Sequence, residues 1–267
     1  MFKNFIQRLF NLFGFKISSI NKGKSNTRQY FSRIIDNINP VIFDVGANRG
    51  ESIDEFKKYF PNAIFYCFEP NKSAKELLIK KYKNQKEINL NFFGLGSKNE
   101  EKEFISYKSS GHSSFVELNS DTLFINSRAK SFNSKPEDYI NTTYKQEIKT
   151  LDFYCEKNNI KNIDILKIDV QGYEMDVLLG SKKMIQSNLI DLIEVEIVFS
   201  EVYKKTNNIC DIENLLIPYG YKIFSTNTYG NLYTDYIWQT DLTYISNKKY
   251  EQVKHSGYFK SFPGYRK

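Results

Sequence analysis

Short apolar runs alternate along this chain with stretches in which apolar residues recur every three or four positions. The short runs are typical of buried parallel strands, and the longer spacing is typical of amphipathic helices. Five runs of the first kind are predicted as strands: Val41–Asp44, Ala63–Phe68, Ile88–Leu95, Ile163–Val170 and Leu189–Phe199. Strands that alternate with helices in this way predict an α/β fold with a doubly wound sheet.

The C-terminal part of the chain predicts a different pairing. After a helix over Ile209–Tyr219, three strand-like runs follow with little between them, at Tyr221–Ser225, Leu232–Trp238 and Asp241–Ser246. Strands without crossover helices pair antiparallel. We therefore expect a seven-stranded sheet that is mostly parallel and has an antiparallel end.

The middle of the chain is predicted to carry a long loop on the substrate side of the sheet. Glu101–Tyr107 reads as an extended piece, and about 109–146 is polar and irregular, with room for a short helix. Glu147–Thr150 then returns as a strand and Leu151–Asn158 as a helix. Loops of this length are uncommon in compact domains unless they are functional or disordered.

Two units are expected in the domain organisation. Residues 1–29 form an N-terminal amphipathic helix and linker, and residues 30–267 form one domain that begins with a helix at Tyr30–Ile38. The apolar stripe of Met1–Ile17 has two interpretations: a helix packed on the domain or on a second copy in a homo-oligomer, or an interfacial membrane helix. No small-residue cleavage site follows it, which argues against a signal peptide.

Composition narrows the class of protein. The chain has 267 residues, of which 40% are hydrophobic, enough for one domain with a sizeable core. Its net charge of +7 comes from scattered lysines, so solvated helix faces are favoured over a nucleic-acid partner. The 3 cysteines lack CxxC spacing and the 2 histidines lie far apart, which indicates a reduced, cytoplasmic protein without structural zinc. No run approaches the ~20 apolar residues of a membrane span.

The first strand ends in a glycine turn that is suited to ligand binding. The run VIFDVGANRG places Asp44 at the strand end and Gly46 and Gly50 in the turn before an amphipathic helix. Such corners let the backbone approach a ligand and point helix N–H groups at it. The spacing is GxxxG, which differs from the GxGxxG of dinucleotide folds.

The second strand ends in another acid. Glu69 is followed by Pro70 and Asn71, and it comes about 20 residues after the first corner, where an acid can hold a ribose diol. An ordinary surface acid near the next helix is the alternative. An acid-first glycine corner with a ribose acid, and without a Lys-Ser/Thr phosphate loop, points to S-adenosylmethionine as the cofactor.

Several ordered motifs resemble those of the FkbM-type methyltransferases. They are DVGAN at Asp44–Asn48, FEPN at Phe68–Asn71, GLGS at Gly94–Ser97, Thr150-Leu151-Asp152, and ILKIDVQGYEMDVLLGS at Ile165–Ser181. Gln171 stands where that family commonly has Glu, and the Glu194-Val195-Glu196 segment lacks the family's His. The resemblance runs from about Val41 to Tyr221.

This resemblance implies a class I, Rossmann-like methyltransferase fold and an O-methyltransferase that uses S-adenosylmethionine. It also implies an acceptor hydroxyl on a sugar of a glycan, glycolipid or polysaccharide precursor. RNA or protein methylation, and a binding protein that has the fold without turnover, are the alternatives. Intact glycines and both acids argue against the last.

The cofactor is expected across the tips of the first two strands. Asp44 is assigned to the methionyl end and Glu69 to the ribose hydroxyls. The remaining cofactor contacts are expected from Gly46, Ala47, Asn48 and Gly50 at the first corner, from Pro70 and Asn71 beside the adenosine, and from Leu95, Gly96 and Ser97 around the adenine.

Loss of the acceptor proton calls for a carboxylate or a histidine. Asp169 is the first candidate base or orienting carboxylate, with capping of the following helix as the equal alternative. His112, in the loop, and Glu194, on the fifth strand, are further catalytic candidates. Each also has an ordinary interpretation, an exposed histidine and a buried acid bonded to backbone.

Other residues are assigned to the acceptor. Gln171 can orient a hydroxyl but is no base at neutral pH, and Tyr173 can stack on a sugar ring or pack in the core. Ser113, Ser114 and Glu196 complete the expected substrate contacts. Asp169 with Glu194 or Glu196 could hold Mg²⁺, but no adjacent acid pair supports it, and we expect no metal.

Overall fold

The structure is a computed structural model that describes residues 27–205, 208–230 and 237–255. The predicted helix at Met1–Ile17 lies outside these residues, as does most of the strand predicted at Leu232–Trp238. Within the described residues, no helix is long and apolar enough to cross a membrane.

The main sheet is built from seven strands. They are β1 (Val41–Val45), β2 (Ile64–Phe68), β3 (Ile88–Asn91), β7 (Ile163–Ile168), β8 (Ile190–Val198), β9 (Lys222–Gly230) and β10 (Ile237–Ile245). Their spatial order is β3-β2-β1-β7-β8-β10-β9. β10 pairs antiparallel with both β8 and β9, and the other pairs are parallel. The predicted seven-stranded sheet with an antiparallel end is confirmed.

The helices cover both faces of this sheet. They are α1 (Thr27–Phe31), α2 (Glu51–Lys57), α3 (Lys72–Tyr82), α4 (Leu123–Ser131), α5 (Leu151–Lys157), α6 (Glu174–Leu179), α7 (Lys182–Gln186), α8 (Ile209–Leu216) and α9 (Asn247–Val253). One apolar core packs β1, β7 and β8 on α5 to α8, and a second packs the opposite face on α1 to α3. Among the described residues, α1 at Thr27–Phe31 lies where the sequence predicted a helix over Tyr30–Ile38.

A second sheet flanks the predicted long loop and takes up its C-terminal end. β4 (Gly94–Leu95), β6 (Ile140–Lys149) and β5 (Glu100–Tyr107) pair in that order. The loop prediction for 109–146 was wrong from Ile140 onward, because β6 alternates exposed and partly buried residues too polar to stand out as a strand. α4 and a 3-10 turn at Ser110–His112 fill the rest, over a small core of Phe104, Tyr139 and Ile148.

The C-terminal strands also differ from prediction. Among the described residues, the runs predicted at Tyr221–Ser225 and Asp241–Ser246 each belong to a longer strand of nine residues, Lys222–Gly230 and Ile237–Ile245. Ile209–Tyr219 is an α-helix only to Leu216 and ends in a 3-10 turn.

β1 is the point where the chain order reverses. β2 and β3 lie on one side of it and β7 and β8 on the other. In open α/β sheets, ligands bind in the crevice beyond the carboxyl ends of the strands at such a point. We therefore expect a ligand site above Val45, Phe68 and Ile168.

Candidate functional site

A cleft of about 620 Å³ opens where the topology places it, above the carboxyl ends of β1, β2 and β7. The predicted site residues that line it are Gly46, Asn48, Glu69, Pro70, Leu95, Ser113, Ser114, Asp169, Gln171 and Tyr173. Val170, Phe104 and Phe115 add apolar wall. Polar groups from both corners therefore meet over one apolar wall, as in most small-molecule sites.

The first corner is shaped by contact with β7. Gly46 has φ 87°, and a Cβ on it would lie 1.8 Å from the carbonyl oxygen of Asp169. Asn48 is left-handed too, with φ 43°, and its side-chain Oδ1 is buried without a hydrogen-bond partner among the described residues. The corner therefore presents a tight backbone and one free polar atom at the cleft.

Glu69 joins the two corners. Its Oε2 accepts a hydrogen bond of 2.7 Å from the backbone N–H of Asn48, and its Oε1 accepts one of 2.7 Å from the N–H of Asn71. Burial raises the pKa of Glu69 to about 7, in spite of these two donors. Each oxygen keeps a lone pair, so the carboxylate can still accept from a ligand in the cleft.

Several predicted cofactor residues lie behind the cleft wall and hold its shape. Asn71 caps α3 by accepting from the N–H of Ser73, and Ser97 donates to Asp176. Gly96 and Gly180 are in close contact: a Cβ added to Gly180 would lie 2.0 Å from the Gly96 carbonyl oxygen. Gly50 faces the Tyr82 ring. Ala47 is buried in the core below α2.

Asp44 is fully buried and bonded inside the protein. Its Oδ2 accepts from the Ser52 hydroxyl at 2.6 Å, and its Oδ1 lies 3.1 Å from the Nζ of Lys167. Asp44 is not part of the cleft lining, so the structure provides no direct contact for the ligand role predicted for it. What it does is hold Lys167 beneath the corner.

Lys167 is a site residue that the sequence did not single out. Its Nζ lies 3.4 Å from Asp169 Oδ2 and donates to the Gly46 carbonyl at 3.3 Å. The carboxylates of Asp44 and Asp169 raise its pKa, so it stays charged despite burial. The available signal was a lysine inside an apolar strand, since such a residue is almost never buried without a partner.

Asp169 stands at the mouth of the cleft with 37% of its side chain exposed. Its Oδ1 accepts a hydrogen bond of 2.8 Å from the side-chain amide of Gln171. Glu174 stabilises the turn that follows Asp169: its Oε1 accepts hydrogen bonds from the backbone N–H groups of Val170 and Gly172. Glu174 thus performs the capping that was the alternative for Asp169, which leaves the Asp169 carboxylate directed into the cleft.

Gln171 links two carboxyl groups. It adopts φ 61°, and its amide also donates to Glu196 Oε2 at 2.9 Å, while its carbonyl oxygen accepts from Tyr203 at 2.5 Å. Burial, together with the nearby Asp169, raises the pKa of Glu196 well above its usual range. Glu196 therefore favours its neutral form.

Glu194 and His112 do not reach the cleft. Glu194 is 4% exposed and forms an ion pair with Arg28 of α1, whose guanidinium lies over the Phe56 ring. His112 Nδ1 is hydrogen-bonded to Tyr139 at 2.9 Å, and burial lowers its pKa to about 4. Both catalytic assignments lack the contact they require: Glu194 lies below α1, and His112 faces away from the cleft.

The serines and the tyrosine predicted to bind substrate also support the wall. Ser114 donates to the Val170 carbonyl at 3.0 Å, and Ser113 accepts from the Tyr107 N–H. Tyr173 is 2% exposed and packs against Phe115. Tyr173 therefore packs in the protein, which was the alternative to stacking on a sugar ring. Among the described residues there is no group of three or more His, Cys, Asp or Glu side chains placed to hold a metal ion.

The chain is similar to known proteins over the residues that build this site. A family described as "Methyltransferase FkbM domain" matches residues 44–223, more than half of the chain. The "2-O-methyltransferase NoeI" of Sinorhizobium fredii is 24% identical over 150 residues, which is 56% of this chain and 60% of that protein. The match therefore spans less than two thirds of that relative.

A solved methyltransferase structure has a similar fold. Methyltransferase FkbM from Methylobacillus flagellatus KT is similar with a TM-score of 0.50 and 15% identity, over 82% of this chain and 47% of that chain. An rRNA methylase from Streptococcus thermophilus matches with a TM-score of 0.44 and 10% identity, over 86% and 99% of the two chains.

Proposed function

Since this chain belongs to the FkbM methyltransferase family, we propose that it is an S-adenosylmethionine-dependent O-methyltransferase whose acceptor is a sugar hydroxyl. The observation that carries the proposal is the pair of acids facing one cleft: Glu69, tied to both corners, and Asp169, exposed at the mouth. The name of the 24% identical relative, a 2-O-methyltransferase, supports oxygen as the atom methylated.

The residues of the cleft fit the cofactor. Glu69 has one unused lone pair on each oxygen for the two ribose hydroxyls, and the free Oδ1 of Asn48 suits the α-ammonium group of the methionyl part. Leu95 and Phe68 provide apolar wall for the adenine. When bound, S-adenosylmethionine supplies an activated methyl group carried on a sulfonium.

Asp169 is proposed to orient the acceptor hydroxyl and to take the proton that this hydroxyl loses on methylation. Lys167 lies 3.4 Å from the Asp169 carboxylate and forms an ion pair with it. Gln171 fixes its direction through the 2.8 Å hydrogen bond. Positioning of this kind supplies much of the rate in a displacement reaction, and general base catalysis adds about 10²–10⁴-fold.

The test is transfer of labelled methyl groups from S-adenosylmethionine to a panel of methyl hexopyranosides, a total tRNA fraction and a protein extract. We expect incorporation into a glycoside, with kcat reduced about 10²–10⁴-fold in Asp169→Asn and S-adenosylhomocysteine binding retained. Incorporation into RNA or protein alone would identify that macromolecule, and not a sugar, as the acceptor. Absence of S-adenosylhomocysteine binding in calorimetry would refute the enzyme function.

A further inference from the structure

A second cavity, of about 290 Å³, lies beside the cleft and is here called the side pocket. Its walls include Phe124 and Trp238, and its polar groups include Glu196, Gln239 and His112. It is contributed by α4, β8 and β10, elements that take no part in the cofactor cleft.

The side pocket and the cleft meet at Gln171, which lines both. The 3-10 turn stands between them on the other side: Gly111 lines the cleft, and the adjacent His112 lines the side pocket. The Gln171 side chain therefore stands between the side pocket and the Asp169 carboxylate, to which its amide is hydrogen-bonded.

The polar groups of the side pocket are held in place from behind. Glu196 accepts from Gln171 at 2.9 Å on one oxygen and from Gln239 at 3.0 Å on the other. His112 is fixed by Tyr139 and packs edge-on against Phe124, with ring centroids 5.2 Å apart. Preorganised polar groups of this kind cost little entropy when they bind a ligand.

We propose that the side pocket binds the pyranose ring of the acceptor, with the C–H face of the ring on Phe124 and Trp238 and its hydroxyls on Glu196 and Gln239. A pyranose has an apolar face and a polar edge, so it needs an aromatic wall beside hydrogen-bonding groups. The proposal rests on the proposed function, because it places the acceptor of that methyl transfer.

The chain contains a single tryptophan, Trp238, so intrinsic fluorescence reports directly on this pocket. The experiment titrates a panel of methyl hexopyranosides and methyl 6-deoxyhexopyranosides into the full chain saturated with S-adenosylhomocysteine. We expect at least one glycoside to change the emission saturably. Phe124→Ala and Gln239→Ala should each weaken that binding about tenfold, equal to the loss of about 1.4 kcal/mol.

Leu123→Ala is the matched control, because Leu123 neighbours Phe124 on α4 but is 88% exposed. It should bind like the unsubstituted protein, and all variants should bind S-adenosylhomocysteine equally. A panel without any saturable change, or a change that survives both pocket substitutions, overturns the side-pocket assignment. Methyl transfer to a glycoside whose KM is unchanged in both variants would also overturn it while leaving the proposed function intact.

Discussion

The ammonium group of Lys167 lies 3.1 Å from the carboxylate of Asp44, with both side chains almost fully buried beneath the cleft. Removal of one partner leaves an unpaired charge in the core, which typically costs about 3–5 kcal/mol. We therefore expect Lys167→Met to lower the free energy of unfolding by about that amount, as measured by urea denaturation.

Two further variants separate the pair from ordinary charge loss. Lys167→Met combined with Asp44→Asn should recover part of the loss, because no lone buried charge remains. Lys98→Met removes an exposed pair with Glu100 and should cost less than about 1 kcal/mol. Equal losses for Lys98 and Lys167 would contradict the role of the buried pair.

Glu69 should make cofactor binding depend on pH. Its pKa of about 7 means that roughly a tenth is ionised at pH 6 and nine tenths at pH 8. Since hydroxyl donors bind the ionised carboxylate better, the affinity for S-adenosylhomocysteine should rise about tenfold over this interval. Calorimetry at both values checks this. Glu69→Gln should bind S-adenosylhomocysteine weakly, with an affinity that does not change between pH 6 and pH 8. A pH dependence of equal size in that variant would show that another group causes it.

Glu174 should lower stability as the pH rises. Burial raises its pKa from 4.5 to about 7, so the folded state holds a proton that the unfolded state has released between these values. Its contribution is therefore complete below pH 4.5 and is lost as the pH rises through 7, by up to about 3 kcal/mol. Urea denaturation from pH 4.5 to 8 measures it.

Glu174→Gln is the matched comparison, because its amide oxygen can still accept from Val170 and Gly172. It should lose this component of the pH dependence while Glu69 and Glu196, which have raised pKa values as well, keep theirs. An unchanged slope in Glu174→Gln would show that Glu174 is ionised in the folded protein.

Gly46→Ala should destabilise the fold severely. A Cβ there would lie 1.8 Å from the Asp169 carbonyl oxygen, and φ 87° costs a non-glycine residue about 1–2 kcal/mol by itself. Gly111→Ala is the control, since nothing lies within 4 Å of the corresponding Cβ. Thermal unfolding should show a large drop in Tm for the first variant and almost none for the second.

The sequence by itself determined the sheet, the two corners and the family. Apolar runs bounded by Asp44, Glu69 and Asp169 reveal parallel strands and the edge where these acids gather, since buried strands have a local hydrophobic signature. The resemblance to FkbM-type methyltransferases was visible in motifs because those motifs are contiguous in the chain. β6 was not predicted as a whole strand, because its exposed and partly buried residues alternate without an apolar run.

Tertiary structure alone decided which acids face the cleft. Asp44 and Asp169 both follow apolar strands, yet Lys167 and Ser52 bind the first inside the protein and leave the second at the cleft mouth. Glu194 and Glu196 are two residues apart, but only Glu194 forms an ion pair with Arg28, which lies 166 residues away in the sequence. Partners this distant in sequence carry no local signal, because a side chain's chemistry is set by the groups that packing brings to it.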